Sequence, residues 1–143
     1  MDKKARPKLK KVTIKNFDVR QTIGTGSFGR VKLVQQRSDG RCFALKCLKK
    51  AEIVKNKQVD HLLSEVTILR ELDHPFIVRF FGIAQNDRYL QMLLEYVPGG
   101  ELFSYLRERK CLENDEVRFF AGQVTLILEY LHARNIVYRD LKP

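Results

Sequence analysis

No apolar run in this 143-residue chain is long enough to span a membrane, and its start lacks a secretion-signal pattern. Asp2 follows Met1, so the glycine that N-myristoylation requires is missing too. Stable membrane insertion is therefore not expected. The chain has only three cysteines, an odd number without metal-ligand spacing. Cys42 and Cys47 fall in one strand-like run, face opposite sides and lie about 16 Å apart, too far to bridge. Reduced thiols follow, with the cytoplasm as the expected compartment and the nucleus as a second. There is no internal repeat and no low-complexity tract.

Charge is plentiful but uneven. The net charge is +10, and residues 1–15 supply +6 of it through seven Lys/Arg and one Asp. This arm either attracts an acidic partner or membrane surface, or is a solvated, mobile tail; the tail is the favoured reading. No aromatic residues interleave with its basic ones, so nucleic acid is not an expected partner.

With 44% hydrophobic residues the chain can bury one sizeable core and part of another. Residues 1–16 read as a flexible basic extension. Strand patterns follow near 17–24, 29–36, 41–48, 80–85 and 89–96, with a helix from about Val59 to Leu72. Leu62, Val66 and Leu69 recur at helical spacing, and Asp73-His74-Pro75 stops that helix. A short turn is expected at Ala51–Val54. Pro98-Gly99-Gly100 marks a boundary, so 17–97 reads as one lobe and 98–143 as the start of another. Beyond it lie a short helix near Glu101–Arg109 and a long one near Asp115–Ala133, with Asn114 as N-cap. The long helix is apolar on nearly every face, which belongs inside a larger core than these residues supply.

The stretch around which the chain is organised is Gly24-Thr25-Gly26-Ser27-Phe28-Gly29, followed by Val31. Without Cβ atoms, such a loop can bring backbone N–H groups close to phosphate oxygens. Dinucleotide folds share the pattern but need a helix after the loop. Here Arg30–Val34 alternates like a strand, and Asp39-Gly40 is a tight-turn signal before the strand-like Cys42–Leu45. The loop thus joins two antiparallel strands. A glycine-rich hairpin over phosphates resembles the protein-kinase arrangement.

Four further stretches extend that resemblance. Lys46 follows Gly24 by 22 residues, among apolar strand neighbours. Such a lysine either snorkels to the surface or meets an anion; the resemblance implies that it holds the α- and β-phosphates of ATP. Glu65 falls on the buried face of the helix, where a carboxylate either reaches solvent at the edge or requires a cation. The resemblance implies a pair with Lys46. Leu94-Glu95-Tyr96-Val97 is similar to the kinase hinge, which implies adenine binding by the backbone of Glu95 and Val97, with Leu94 as gatekeeper. Val31 and Ala44 would pack on the adenine, or simply fill a sheet core. Glu101 would contact ribose and a substrate arginine, or be a first-turn helix acid. Last, Tyr138-Arg139-Asp140-Leu141-Lys142-Pro143 resembles the kinase catalytic loop with Tyr in place of His. By that resemblance Asp140 accepts the proton of the substrate hydroxyl and Lys142 touches the transferred phosphate.

Together the matches span 17–143, and segments such as HPFIVRFF and LLEYVPGGELFSYLR resemble the cyclic-AMP-dependent, AGC-type serine/threonine kinases. The implied fold class is α+β: a five-stranded antiparallel lobe with one main helix, then the first helices of a mainly helical lobe. The implied cofactors are ATP and Mg2+. Protein substrates with basic residues near the phosphorylated Ser/Thr are the implied partners, with a regulatory subunit as a further candidate. The Asn and Asp-Phe-Gly that hold the metal in the family do not occur among these 143 residues. No metal ligand is therefore assigned, and the expectation is an N-terminal half of a kinase domain, inactive alone. The competing expectation is a non-catalytic, kinase-like module that binds a partner.

Overall fold

Five short, largely apolar segments form the strands of one antiparallel sheet. They are β1 (Phe17–Gly26), β2 (Gly29–Gln36), β3 (Cys42–Lys49), β4 (Phe80–Gln85) and β5 (Tyr89–Glu95), in the order β1-β2-β3-β5-β4. Helices α1 (Lys50–Lys55) and α2 (Val59–Glu71) lie between β3 and β4, and α3 (Leu102–Arg109) and α4 (Asn114–His132) follow β5. The computed structural model describes residues 11–142. Those residues divide into two compact units: one runs up to Leu72 and adds Arg79–Tyr96, the other joins Asp73–Val78 to the residues from Val97 on.

The sheet has two apolar faces because residues alternate sides along each strand. On one face Phe17, Val34, Phe43, Leu45 and Leu93 form a buried cluster, with Phe43 edge-on to both Phe17 and Phe81. On the other face Leu48 and Met92 pack with Ile53 of α1 and Val66 of α2. Each large side chain buried this way contributes about 1.5–3 kcal/mol. The β2–β3 turn is fixed locally. Gly40 has φ +72°, which favours glycine, and the Arg41 N–H donates to the Asp39 carboxylate at 3.1 Å.

Three expectations need correction. The extension was expected to be flexible through residue 16, yet Val12 and Ile14 pack against the first cluster. The Val12 N–H also donates to the Ile83 carbonyl at 2.7 Å, along the outer edge of β4. An edge strand offers unpaired backbone groups, and this segment satisfies one of them. Residues 1–10 lie outside the described part. Second, Asn114 is not the N-cap of α4. Glu113 is, in a capping box: its side chain accepts from the backbone of Glu116, and the Glu113 N–H donates to the Glu116 carboxylate at 3.0 Å.

Third, a first lobe unbroken over 17–97 does not match the division of the chain. Asp73–Val78 group with the helices because Tyr130 of α4 holds them. The Asp73 N–H donates to the Tyr130 hydroxyl at 2.9 Å, and the His74 ring lies 4.9 Å from the Tyr130 ring. The Arg134 guanidinium stacks over the same ring, 3.6 Å from its centre.

Candidate active site

Strand register decides which side chains share a face. Val31 stands opposite Lys46, and Lys46 opposite Met92; Leu33 stands opposite Ala44, and Ala44 opposite Leu94. Ala44 and Lys46 are two apart, so Val31, Ala44, Lys46 and Leu94 all point to one side of the sheet. That is the side on which Met92 packs with α2. Glu65 comes from α2, and its Oε1 accepts from the Lys46 Nζ at 2.8 Å. The two side chains are one-third and two-fifths exposed, so the lysine meets its anion at the mouth of the core. Val66, the next residue on α2, is anchored in the cluster below. A short helix-to-sheet brace therefore sets the position of the ammonium group.

The glycine loop is the hairpin between β1 and β2. Gly26 pairs with Gly29 across a two-residue turn at Ser27 and Phe28. Its three glycines are not equivalent, and none has positive φ. A Cβ at Gly29 would collide with the carbonyl oxygen of Cys47, so internal packing alone demands glycine there. A Cβ at Gly24 would meet Val31 at an ordinary 3.6 Å, and one at Gly26 would meet nothing within 4 Å. The fold does not require glycine at those two positions; the approach of a ligand to the backbone is a sufficient reason for them. Thr25 and Ser27 are exposed beside them, while Phe28 turns inward and is half-buried.

Beneath the loop lies a recess of about 170 Å³, lined by Gly26 to Val31, Lys46 and Leu48. Pockets that bury a whole drug-sized molecule run to roughly 300–1,000 Å³, so this recess is too small to enclose one. Leu48 had not been expected at this site; its position two residues beyond Lys46 on the same strand was the available signal.

Glu95 ends β5, its backbone N–H donating to the Arg79 carbonyl at 2.8 Å and its carboxylate accepting from the Arg79 N–H at 3.0 Å. Val97, Glu101, Asp140 and Lys142 belong to the helical unit. Val97 is exposed, and Glu101 is the exposed N-cap of α3. Asp140 and Lys142 sit on an irregular, exposed segment, with Lys142 Nζ donating to Asp140 Oδ2 at 3.0 Å. That hydrogen bond, and then the charge of Asp140, raises the Lys142 pKa above its ordinary value; Tyr138 and Glu101 add smaller contributions. The structure thus gathers the loop, Val31, Ala44, Lys46, Glu65 and Leu94 on one sheet face, and Asp140 with Lys142 in the second unit. Among the described residues, no three His, Cys, Asp or Glu side chains come together as a metal site. No helix there is long and apolar enough to cross a membrane.

The chain is 47% identical over 133 residues to the cAMP-dependent protein kinase type 3 of Saccharomyces cerevisiae, covering 93% of this chain and 33% of that protein. It is 48% identical over 130 residues to the cAMP-dependent protein kinase catalytic subunit of Dictyostelium discoideum, covering 91% of this chain and 20% of that one. The human cAMP-dependent protein kinase catalytic subunit PRKX is 44% identical over 131 residues, 92% of this chain and 37% of the relative. The chain thus spans well under half the length of these relatives. The family model described as protein kinase domain matches residues 17–143. With a glycine hairpin over a braced lysine, and nearly its whole length aligned to kinases, this chain belongs to the protein kinase family.

Proposed function

We propose that this chain carries the nucleotide site and the catalytic loop of a serine/threonine protein kinase of the cyclic-AMP-dependent type. The Lys46–Glu65 pair beneath the glycine hairpin is the observation that carries this reading. Glu65 holds the ammonium toward the recess, where it offsets the negative charge of the α- and β-phosphates; loop N–H groups add donors. Val31, Ala44 and Leu94, on the same face, form the apolar bed for adenine, with the backbone of Glu95 and Val97 as hydrogen-bonding edge. Glu101 contacts ribose or a substrate arginine. In the transfer, the substrate hydroxyl oxygen bonds to the γ-phosphorus while the bond to the bridging oxygen breaks. Asp140 accepts the hydroxyl proton, and Lys142 steadies the charge on the moving phosphoryl group.

Protein kinases use ATP with Mg2+ and act on proteins. Among the described residues, no three His, Cys, Asp or Glu side chains come together to hold that ion. We expect these 143 residues alone to bind nucleotide without appreciable turnover. Substrates with basic residues near the acceptor, a regulatory subunit and a cytoplasmic or nuclear setting complete the proposal.

The test is nucleotide binding by the chain and by Lys46→Met, with phosphorylation of an arginine-containing serine peptide assayed in a completed kinase domain that carries the same substitutions. Lys46→Met should lose most of the affinity, and Asp140→Ala should keep it. Unchanged binding by Lys46→Met would refute the site. Peptide phosphorylation that survives Asp140→Ala would remove that residue from the chemistry. A chain that binds no nucleotide but captures a protein partner would favour the non-catalytic module.

A further inference from the structure

Phe28 is out of place for a loop tip. Its neighbours Gly26 and Ser27 are exposed, yet Phe28 packs against the cluster of Leu48, Ile53, Val66 and Met92. Its backbone is held as well, since its carbonyl accepts from the Lys49 N–H at 2.9 Å. The adjoining Gly29 leaves no room for a Cβ against Cys47, which lets the hairpin sit flush on β3. Through this cluster the tip of the loop shares a core with α2, the helix that carries Glu65 directly before Val66.

We propose that Phe28 is a positioning residue that ties the glycine loop to α2, so that the loop and the Lys46–Glu65 pair hold or shift together. Three contacts support one coupled body: ring in the cluster, carbonyl on Lys49, and Gly29 on Cys47. Withdrawing the ring removes a packing partner of the cluster that seats α2, and the carboxylate of Glu65 then loses its fixed distance from Lys46. The consequence for ATP rests on the nucleotide-site reading above; the coupling itself does not.

The experiment is competitive acylation of lysines on the full chain, followed by mass spectrometry, with exposed Lys57 as internal reference. In the unchanged chain Lys46 should react slowly, being ion-paired. Phe28→Ala should raise its relative rate severalfold, and Phe28→Leu, which keeps an apolar side chain in the cluster, should restore it. Val34→Ala, in the cluster on the opposite face of the sheet, should leave the rate unchanged although it also loosens a core. An unaltered Lys46 rate in Phe28→Ala would overturn the coupling, as would an equal rise in Val34→Ala, which would reduce the effect to general destabilisation. Repeating the unchanged chain with ATP separates the two readings: no slowing of Lys46 would count against the nucleotide site, while the variant series still decides the coupling.

Discussion

The sheet unit and the helical unit handle their apolar residues in opposite ways. Of the eleven buried hydrophobic residues in the described chain, ten lie in the sheet unit, and Leu131 alone lies in the helical one. Exposure runs the other way: Phe103, Val117 and Leu126 are about half exposed on α3 and α4, and Phe119 is more open still. The sheet unit closes a core on each face, and the Lys46–Glu65 pair hangs on that frame, set by packing. In the helical unit the order is supplied by polar contacts, such as Tyr105 with Glu116 and Tyr130 with Asp73. Asp140 and Lys142, the pair proposed for the chemistry, sit on an exposed segment and are joined by an ion pair at 3.0 Å. Exposed pairs of this kind contribute little to stability.

Core truncation gives the largest contrast. Leu45→Ala removes one of the most deeply buried side chains and should destabilise by roughly 2–5 kcal/mol. Leu126→Ala, at an open site on α4, should stay within about 0.5 kcal/mol. Chemical denaturation followed by circular dichroism measures both. Similar losses would mean that the helical unit has a core that Leu126 serves.

Within the sheet unit, the glycines separate packing from function. Gly29→Ala must push the Cys47 carbonyl aside, and overpacking of this sort costs about 1–3 kcal/mol. Gly26→Ala meets open space and should leave stability near wild type while weakening ATP binding. If both variants lost stability equally, the open space at Gly26 would have to be filled in solution, and the ligand argument for that glycine would fall.

The frame was readable beforehand because it obeys local rules. Period-two alternation placed the strands to within about two residues, and helical spacing put Glu65 on the face toward Lys46. What escaped depends on partners far away in sequence. Nothing near Asp73 announces that Tyr130 will hold it, and so the grouping of Asp73–Val78 with the helices was invisible. Val12 and Ile14 do alternate with polar residues, but the surrounding lysines masked that signal and the segment read as a tail. The cap of α4 was missed for a different reason. Glutamate is not among the preferred N-caps, and Glu113 fills the role only through its reciprocal bond with Glu116. The glycine motif was plain, whereas the division of labour among its glycines needed the position of the Cys47 carbonyl.

A smaller effect is expected where α3 ends. Lys110 has φ +69°, a conformation that glycine adopts without strain and lysine does not. Lys110→Gly should therefore stabilise, by about 0.5–1 kcal/mol once the added freedom of the unfolded chain is subtracted. No gain in denaturation midpoint would indicate that the Lys110 side chain makes up the difference in the helical unit. A matching change at Gly40, where φ is +72° and glycine is already present, runs the other way: Gly40→Lys should destabilise the β2–β3 turn.

The smallest effect concerns pH and the polar fastening between α3 and α4. The Tyr105 hydroxyl donates to Glu116 Oε1 at 2.6 Å, and the Arg109 guanidinium lies 3.5 Å from the same oxygen. That hydroxyl, then the Glu113 N–H, holds the Glu116 pKa below its ordinary 4.5. The same bond to Glu116 is the main cause of a Tyr105 pKa above its ordinary 10.0. A carboxyl whose pKa is depressed by folding contributes stability above its unfolded value, and loses it as pH falls through the folded one. For the tyrosine the contribution is present below its unfolded value and lost as pH rises through the folded one. The fastening should therefore hold across the neutral range and loosen at either extreme. Tyr105→Phe deletes the donor while keeping the ring, so the carboxyl titration of Glu116, followed by carbon-13 NMR, should move up toward 4.5. Glu116→Ala should weaken the junction more, because it removes the side-chain half of the capping box as well. A Glu116 titration unmoved by Tyr105→Phe would assign its low pKa to the capping N–H and to Arg109, and the helical unit would lose the contact taken here to join its first two helices.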